Sequence, residues 1–264
     1  MSQRKTLVDS AAAASGLCRC VGRDPGITVS EAEGIRIVWP QNKSGRAREV
    51  ISRSGMRRRY IVPCFRGGDR EAHCESEDER DAAVVLDACK GILFQEQPAT
   101  ITFKWRDEVV THYPDLLVID DICREFWECK RDDEAQDLYI RRRTEMLVAL
   151  LLPLGYSYRL VTTSMLRKSF FIANAIVMRR RAKVGISDGL LDRMRELTKP
   201  VVAKRIFATH SRSSCGDEFS LLCAALYQGA VCADLAGPIG LEMKIWSSSE
   251  EDEPWLWQLL SKIS

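Results

Sequence analysis

Apolar and polar residues alternate with a period of two through ATITFKW (99–105), THYPDLLVI (111–119) and EFWECK (125–130). Successive side chains of a strand point to opposite faces, so these three stretches predict strands separated by turns. IRIVW (35–39) and RRRYIVP (57–63) are shorter strand candidates inside a basic, extended segment that runs to Arg70. Helical spacing takes over at residues 75–90, where Ala82, Val85, Leu86 and Cys89 fall on one face. A second helix is expected from about Asp133 to Leu152, closed by Pro153 and Gly155, before a fourth strand in YSYRLVTT (156–163). The resulting order is α-β-β-β-α-β.

Beyond Ser164 the character changes. SMLRKSFFIANAIVMRRRAK reads as one apolar helix ending in Arg179, Arg180, Arg181 and Lys183. Ser187 is placed to N-cap DGLLDRMRELTK, Gly229 to stop the apolar helix FSLLCAALYQG, and AVCADLA and LEMKIW predict two short strands. Helices followed by such a two-stranded wing outline a winged helix. The organisation expected is an N-terminal arm over residues 1–35 with no legible role, a first domain over 36–168 and a helical, winged-helix-like domain over 169–264. The acidic tail from Ser247 repels phosphate, and its Trp255, Leu256, Trp257, Leu259 and Leu260 suit either a protein partner or packing on their own domain.

Composition narrows the class. A chain of 264 residues with 45% hydrophobic content supports real cores. Ten cysteines include no C-x-x-C pair, and several sit in apolar runs, so they read as small hydrophobes rather than a zinc knuckle. Cys18 and Cys20 with His73 have the wrong spacing for a soft metal. With no signal peptide and no apolar run of about 18 residues, secretion and a membrane span are not expected, which leaves the cytoplasm. The net charge of +2 hides a basic block over residues 43–70, with Arg46, Arg48, Arg57, Arg58, Arg59 and Arg70 among its members. Such a block suits a phosphate backbone, with Arg57, Arg58 and Arg59 the leading contacts; the alternative is a solvated basic loop.

The candidate chemistry lies in HYPDLLVIDDICREFWECK (112–130). Glu128 and Lys130, two apart in a strand, share a face, and a hairpin through DDICRE brings Asp115 alongside. Two carboxylates suit Mg²⁺, with Mn²⁺ as a substitute, because a hard cation takes few protein oxygens and keeps waters that a phosphate can replace. Lys130 then orients or activates the attacking water, and the implied reaction is phosphodiester hydrolysis. The pattern is short and also matches two solvated strand ends. Around it, His112 is a candidate DNA contact, Gln97 a structural side chain, and Gln136 close enough in sequence to reach the site. Arg141, Arg142 and Arg143 either contact phosphate or solvate the outer face of their helix, with Arg141 taken as the DNA contact.

The segment HCESEDERDAAVVLDACKGILFQEQP (73–98), followed by the YPD and ECK pair, resembles the N-terminal nuclease domain of the TnsA family, endonuclease subunits of heteromeric cut-and-paste transposons. The likeness covers roughly residues 45–165, and LLCAALYQGAVCADL is loosely similar to the family's C-terminal domain. It implies a restriction-endonuclease-like α/β fold, whose common core has the α-β-β-β-α-β order. It also implies a further carboxylate at Glu79, giving Glu79, Asp115 and Glu128 as metal ligands and Lys130 as the fourth catalytic residue. FQEQP (94–98) resembles the family's connection into the first strand of the sheet. The implied activity is Mg²⁺-dependent cleavage of the 5′-end strand at transposon ends. The implied partners are double-stranded DNA, a DDE-type transposase subunit and an AAA+ regulator. The competing expectations are a stand-alone defence or repair nuclease, and a non-catalytic DNA-binding assembly subunit.

Overall fold

The computed structural model describes residues 28–51, 58–66, 70–167, 170–208 and 217–248. They form an α/β structure in two compact units, the first taking the residues up to Ala83 with Gly91–Ser164, the second Val84–Lys90 with those from Met165.

The first unit begins with β1 (Val29–Ala32) and β2 (Ile35–Val38), then β3 (Tyr60–Cys64) and β4 (Arg70–Cys74). Helix α1 (Glu77–Ala88) follows, its last turn and a half belonging by position to the second unit. Then come β5 (Leu93–Glu96), β6 (Thr100–Trp105), β7 (Glu108–His112), β8 (Leu116–Ile119) and β9 (Arg124–Lys130). Helices α2 (Asp132–Ala135) and α3 (Leu138–Leu151) and strand β10 (Ser157–Thr162) complete it.

Four of the expectations need correction. Residues 99–105 do form a strand, β6, but it lies in a separate antiparallel sheet of order β1-β2-β6-β7. The strand that joins β8, β9 and β10 is instead β5, in the order β10-β9-β8-β5, so Phe94, Gln95 and Glu96 are part of the sheet rather than a connection into it. Within that sheet β5–β8 and β8–β9 are antiparallel and β9–β10 parallel. Residues 29–32, assigned to the arm, pair with β2, while residues 1–27 lie outside the described part. The helix expected from Asp133 is broken at Gln136 and Asp137, because the Asp137 side chain accepts from the amides of Tyr139 (2.7 Å) and Ile140 (3.2 Å) and starts a new helix. Gly155, at φ 78°, ends the following turn as expected.

The core of this unit lies where the two sheets and α3 meet. Ile35, Ile37, Ile101 and Phe103 come from the inward positions of β2 and β6, Leu117, Phe126 and Tyr158 from the other sheet, and Leu147 and Leu151 from α3. Trp39 stacks on Phe126 with ring centroids 6.0 Å apart, and Tyr156 closes the cluster at 5.2 Å from Phe126. Strands β8 and β9 are buried on both faces, so any carboxylate on them needs a partner.

The second unit contains α4 (Thr163–Arg167), which starts at the boundary, α5 (Phe171–Arg180), α6 (Asp188–Arg195), β11 (Val201–Val202), α7 (Ala203–Phe207), α8 (Glu218–Gln228), β12 (Val231–Ala233) and β13 (Lys244–Ser247). The single helix expected after Ser164 is therefore two, and the expected pair of strands gains a third, in the order β11-β13-β12. Asn174 holds the loop before β13 through the carbonyls of Leu235 (2.9 Å) and Gly237 (2.8 Å) and the amide of Ile239 (3.1 Å). Arg179 Nε meets the fully buried Asp87 carboxylate at 2.7 Å. The tail residues from Ser249 onward, with Trp255 and Trp257, lie outside the described part.

Candidate active site

Asp115 stands immediately before β8, and its amide extends the ladder by donating to the Trp127 carbonyl at 3.0 Å. That register sets it opposite Glu128, and its Oδ2 accepts from the Cys129 amide at 2.7 Å. The hairpin thus brings Asp115 beside the Glu128-x-Lys130 stretch, as the alternation predicts. Glu79 enters from the first turn of α1, whose start is a reciprocal cap: its amide donates to Ser76 Oγ (3.1 Å), and its Oε2 accepts from the Glu75 amide (2.8 Å).

The electrostatics divide the acids. Burial raises the Asp115 carboxyl well above the ordinary range, and the charges of Glu128 and Glu79 push it further than Lys130 and the Cys129 amide can pull it back. Burial also raises Glu79, against the pull of its capping hydrogen bonds and Lys130. Glu128 goes the other way: burial raises it, but His112, charged only at the acid end of the range, and Lys130 and Arg143, charged throughout, outweigh that, and its carboxyl is lowered. Two acids are short of positive charge and the third is well supplied.

The supply is visible in the contacts. Glu128 Oε1 meets Lys130 Nζ at 3.0 Å and Arg143 Nη2 at 2.9 Å, and its Oε2 lies 3.3 Å from both the Tyr158 hydroxyl and His112 Nε2. His112 and Tyr158 share a further hydrogen bond of 2.9 Å. Tyr158 was not among the sequence candidates, and Arg143 was one of three neighbouring arginines left open between a phosphate contact and a solvated helix face. A signal for Arg143 was present, since it lies four and eight residues before the buried Leu147 and Leu151 and so belongs to the inward stripe of α3.

This arrangement corrects several expectations. His112, a candidate DNA contact, is only 6% exposed and is bonded into the Glu128 network. Arg143 turns inward, while Arg141 and Arg142 stay on the exposed face of α3. Gln136 is exposed at the end of α2. In the basic block, Arg46 and Arg70 are structural: they meet the buried Glu96 carboxylate at 2.7 and 2.5 Å. Arg48 and Arg59 both pair with Glu75, at 2.9 and 3.6 Å, Arg58 is exposed, and Arg57 lies outside the described residues. The backbone of Gln97, fully buried at a left-handed φ of 46°, donates its N–H to the Asp115 carbonyl at 2.8 Å and accepts from the Ala47 N–H at 2.7 Å, while its side-chain Oε1 accepts from Arg48 at 3.3 Å and its Nε2 is buried with no hydrogen-bond partner. The thiols of Cys74 and Cys129 are raised, by burial first and then by neighbouring carboxylates, so they stay protonated.

Among the described residues no three His, Cys, Asp or Glu side chains are grouped to hold a metal ion. The donors of Glu79 and Asp115 suit a hard cation, being buried carboxylates short of positive charge. Glu128 does not present itself in the same way, because both of its oxygens are already engaged. No family model and no curated protein matches the chain. Among the described residues no helix is long and apolar enough to cross a membrane.

The same network makes a pH prediction. Burial lowers the His112 imidazole to about 4 in the fold, below its ordinary value of 6.5. The stability this contributes is complete above about pH 6.5 and is lost as pH falls toward 4, with a slope of up to about 1.4 kcal/mol per pH unit. Asp115 and Glu79, raised in the fold, act in the opposite sense, so the comparison is with a variant. Denaturant unfolding at several pH values should show wild type losing its advantage over His112→Gln between pH 6.5 and 4. A pH-independent difference would show that His112 is not buried in its neutral form.

Proposed function

We propose that the first unit is a restriction-endonuclease-like nuclease and that the chain is a TnsA-like, Mg²⁺-dependent DNA endonuclease subunit of a heteromeric transposase. The observation that carries the reading is Asp115 held against the Cys129 amide at 2.7 Å, beside the Glu128-x-Lys130 stretch of β9. The order α1-β5-β8-β9-α3-β10, with one mixed sheet of two antiparallel pairings and one parallel, supports it.

Glu79 and Asp115 would hold the cation. Mg²⁺, when bound, supplies positive charge to the phosphate and makes water easier to deprotonate. Lys130, pulled down by burial but raised overall by Glu128 and Asp115, remains a charged ammonium that orients the attacking water. Glu128 fixes that ammonium from 3.0 Å, and it becomes a metal ligand only by giving up one of its cationic partners. The product is a strand cut at the 5′ end of the element, with the other strand left to a DDE-type transposase.

In the second unit, the order helix-strand-helix-helix-strand-strand from α6 onward, with β13 between β11 and β12, supports a winged-helix reading. The helix such a module would place against DNA is α8, EFSLLCAALYQ, which has no Lys or Arg and is buried from Leu221 to Tyr227. A protein partner suits this unit better than a DNA groove. Purified full-length chain should therefore cut transposon-end DNA negligibly alone and efficiently when its transposase is added. Equal Mg²⁺-dependent cutting without the partner would instead favour a stand-alone nuclease.

A further inference from the structure

We propose that Arg143 is a further phosphate-binding residue of this site, gripping the scissile phosphate together with Lys130; the inference rests on the nuclease reading above. Arg143 Nη2 and Lys130 Nζ converge on a single carboxylate oxygen of Glu128, at 2.9 and 3.0 Å. One negative charge thus faces two positive ones, and the surplus is one unit of positive charge. A phosphate oxygen beside Arg143 and Lys130 would take up that surplus.

The second observation is an unused donor. Arg143 Nε is buried and has no hydrogen-bond partner, although the side chain is only 15% exposed. A guanidinium kept solely as a counter-ion for Glu128 would be expected to spend its buried N–H groups on the protein, since buried donors in folded proteins are almost always paired. A planar fork with one N–H on Glu128 and another unspent can take a phosphate oxygen without letting go of the carboxylate. Tyr158 and His112 occupy the other Glu128 oxygen and hold the carboxylate in place while this happens.

The test uses Arg143→Lys in the full-length chain, which keeps the charge that Glu128 requires and removes the fork. Binding of inorganic phosphate, measured calorimetrically without metal, should weaken by about 10-fold, while the melting temperature without phosphate changes little. In the transposase-dependent assay, kcat should fall by roughly 100-fold or more, the loss seen when one donor to a transition-state oxyanion is removed, with little change in KM for DNA. Phosphate affinity and kcat that both match wild type would overturn the proposal and leave Arg143 a counter-ion. Because the phosphate titration needs no cleavage, it decides the role of Arg143 even if the chain proves not to be a nuclease. Loss of cleavage on Asp115→Asn alone, with Arg143→Lys fully active, would keep the nuclease and reject this role.

Discussion

Asp115→Asn is expected to lower cleavage by at least about 1,000-fold and, in the absence of divalent metal, to make the protein more stable. The first effect follows from losing a buried carboxylate that would hold the cation on which the phosphate's charge depends. The second follows from the same burial: Asp115 is desolvated and faces Glu128 and Glu79, and this raises its carboxyl. A neutral amide keeps an oxygen for the Cys129 amide and relieves the repulsion. A gain of about 1 kcal/mol would appear as a rise of roughly 2–4 °C in Tm. Thermal melts in EDTA and a Mg²⁺-supported cleavage assay check the two halves separately. A variant that cuts normally, or that is destabilised in EDTA, contradicts the assignment.

Glu128→Ala is expected to behave quite differently, although both residues are candidate ligands. Removing it leaves Lys130 and Arg143 facing each other with no carboxylate between them, in a site where Glu128 is only 4% exposed. Breaking a buried ion network from one side costs about 3–5 kcal/mol, or roughly 10 °C in Tm for a domain of this size. Glu128→Gln, which keeps one oxygen acceptor, should lose less stability while still impairing cleavage. Equal melting temperatures for wild type and Glu128→Ala would show that the four contacts on this carboxylate are not energetically coupled to the fold.

Much of this site was legible in the sequence because it depends on local periodicity. Two-residue alternation places Glu128 and Lys130 on one face, and the DDICRE turn brings Asp115 beside them; the observed register agrees. The four-residue spacing that makes α3 amphipathic points Arg143 inward as well, but within a run of three arginines the sequence left a phosphate contact and a solvated face equally open. Sheet membership was less legible. ATITFKW alternates as well as any strand in the chain, yet alternation does not say which neighbour a strand pairs with, and it joined β2 and β7. The short LFQE, exposed at Leu93 and buried from Phe94 to Glu96, lacked alternation and took the place beside β8. Part of the basic block was illegible for a related reason: charge along a sequence does not reveal that Glu96 is buried, and that Arg46 and Arg70 are spent on it.

The central claim is that Asp115 and Glu79 form a divalent-cation site, and Mn²⁺ titration followed by EPR addresses it without requiring a partner or a DNA substrate. Full-length wild type at neutral pH should bind Mn²⁺ at a site for which Mg²⁺ competes. Asp115→Asn and Glu79→Gln should each weaken that binding by at least about 10-fold. Wild-type affinity in both variants would contradict the account.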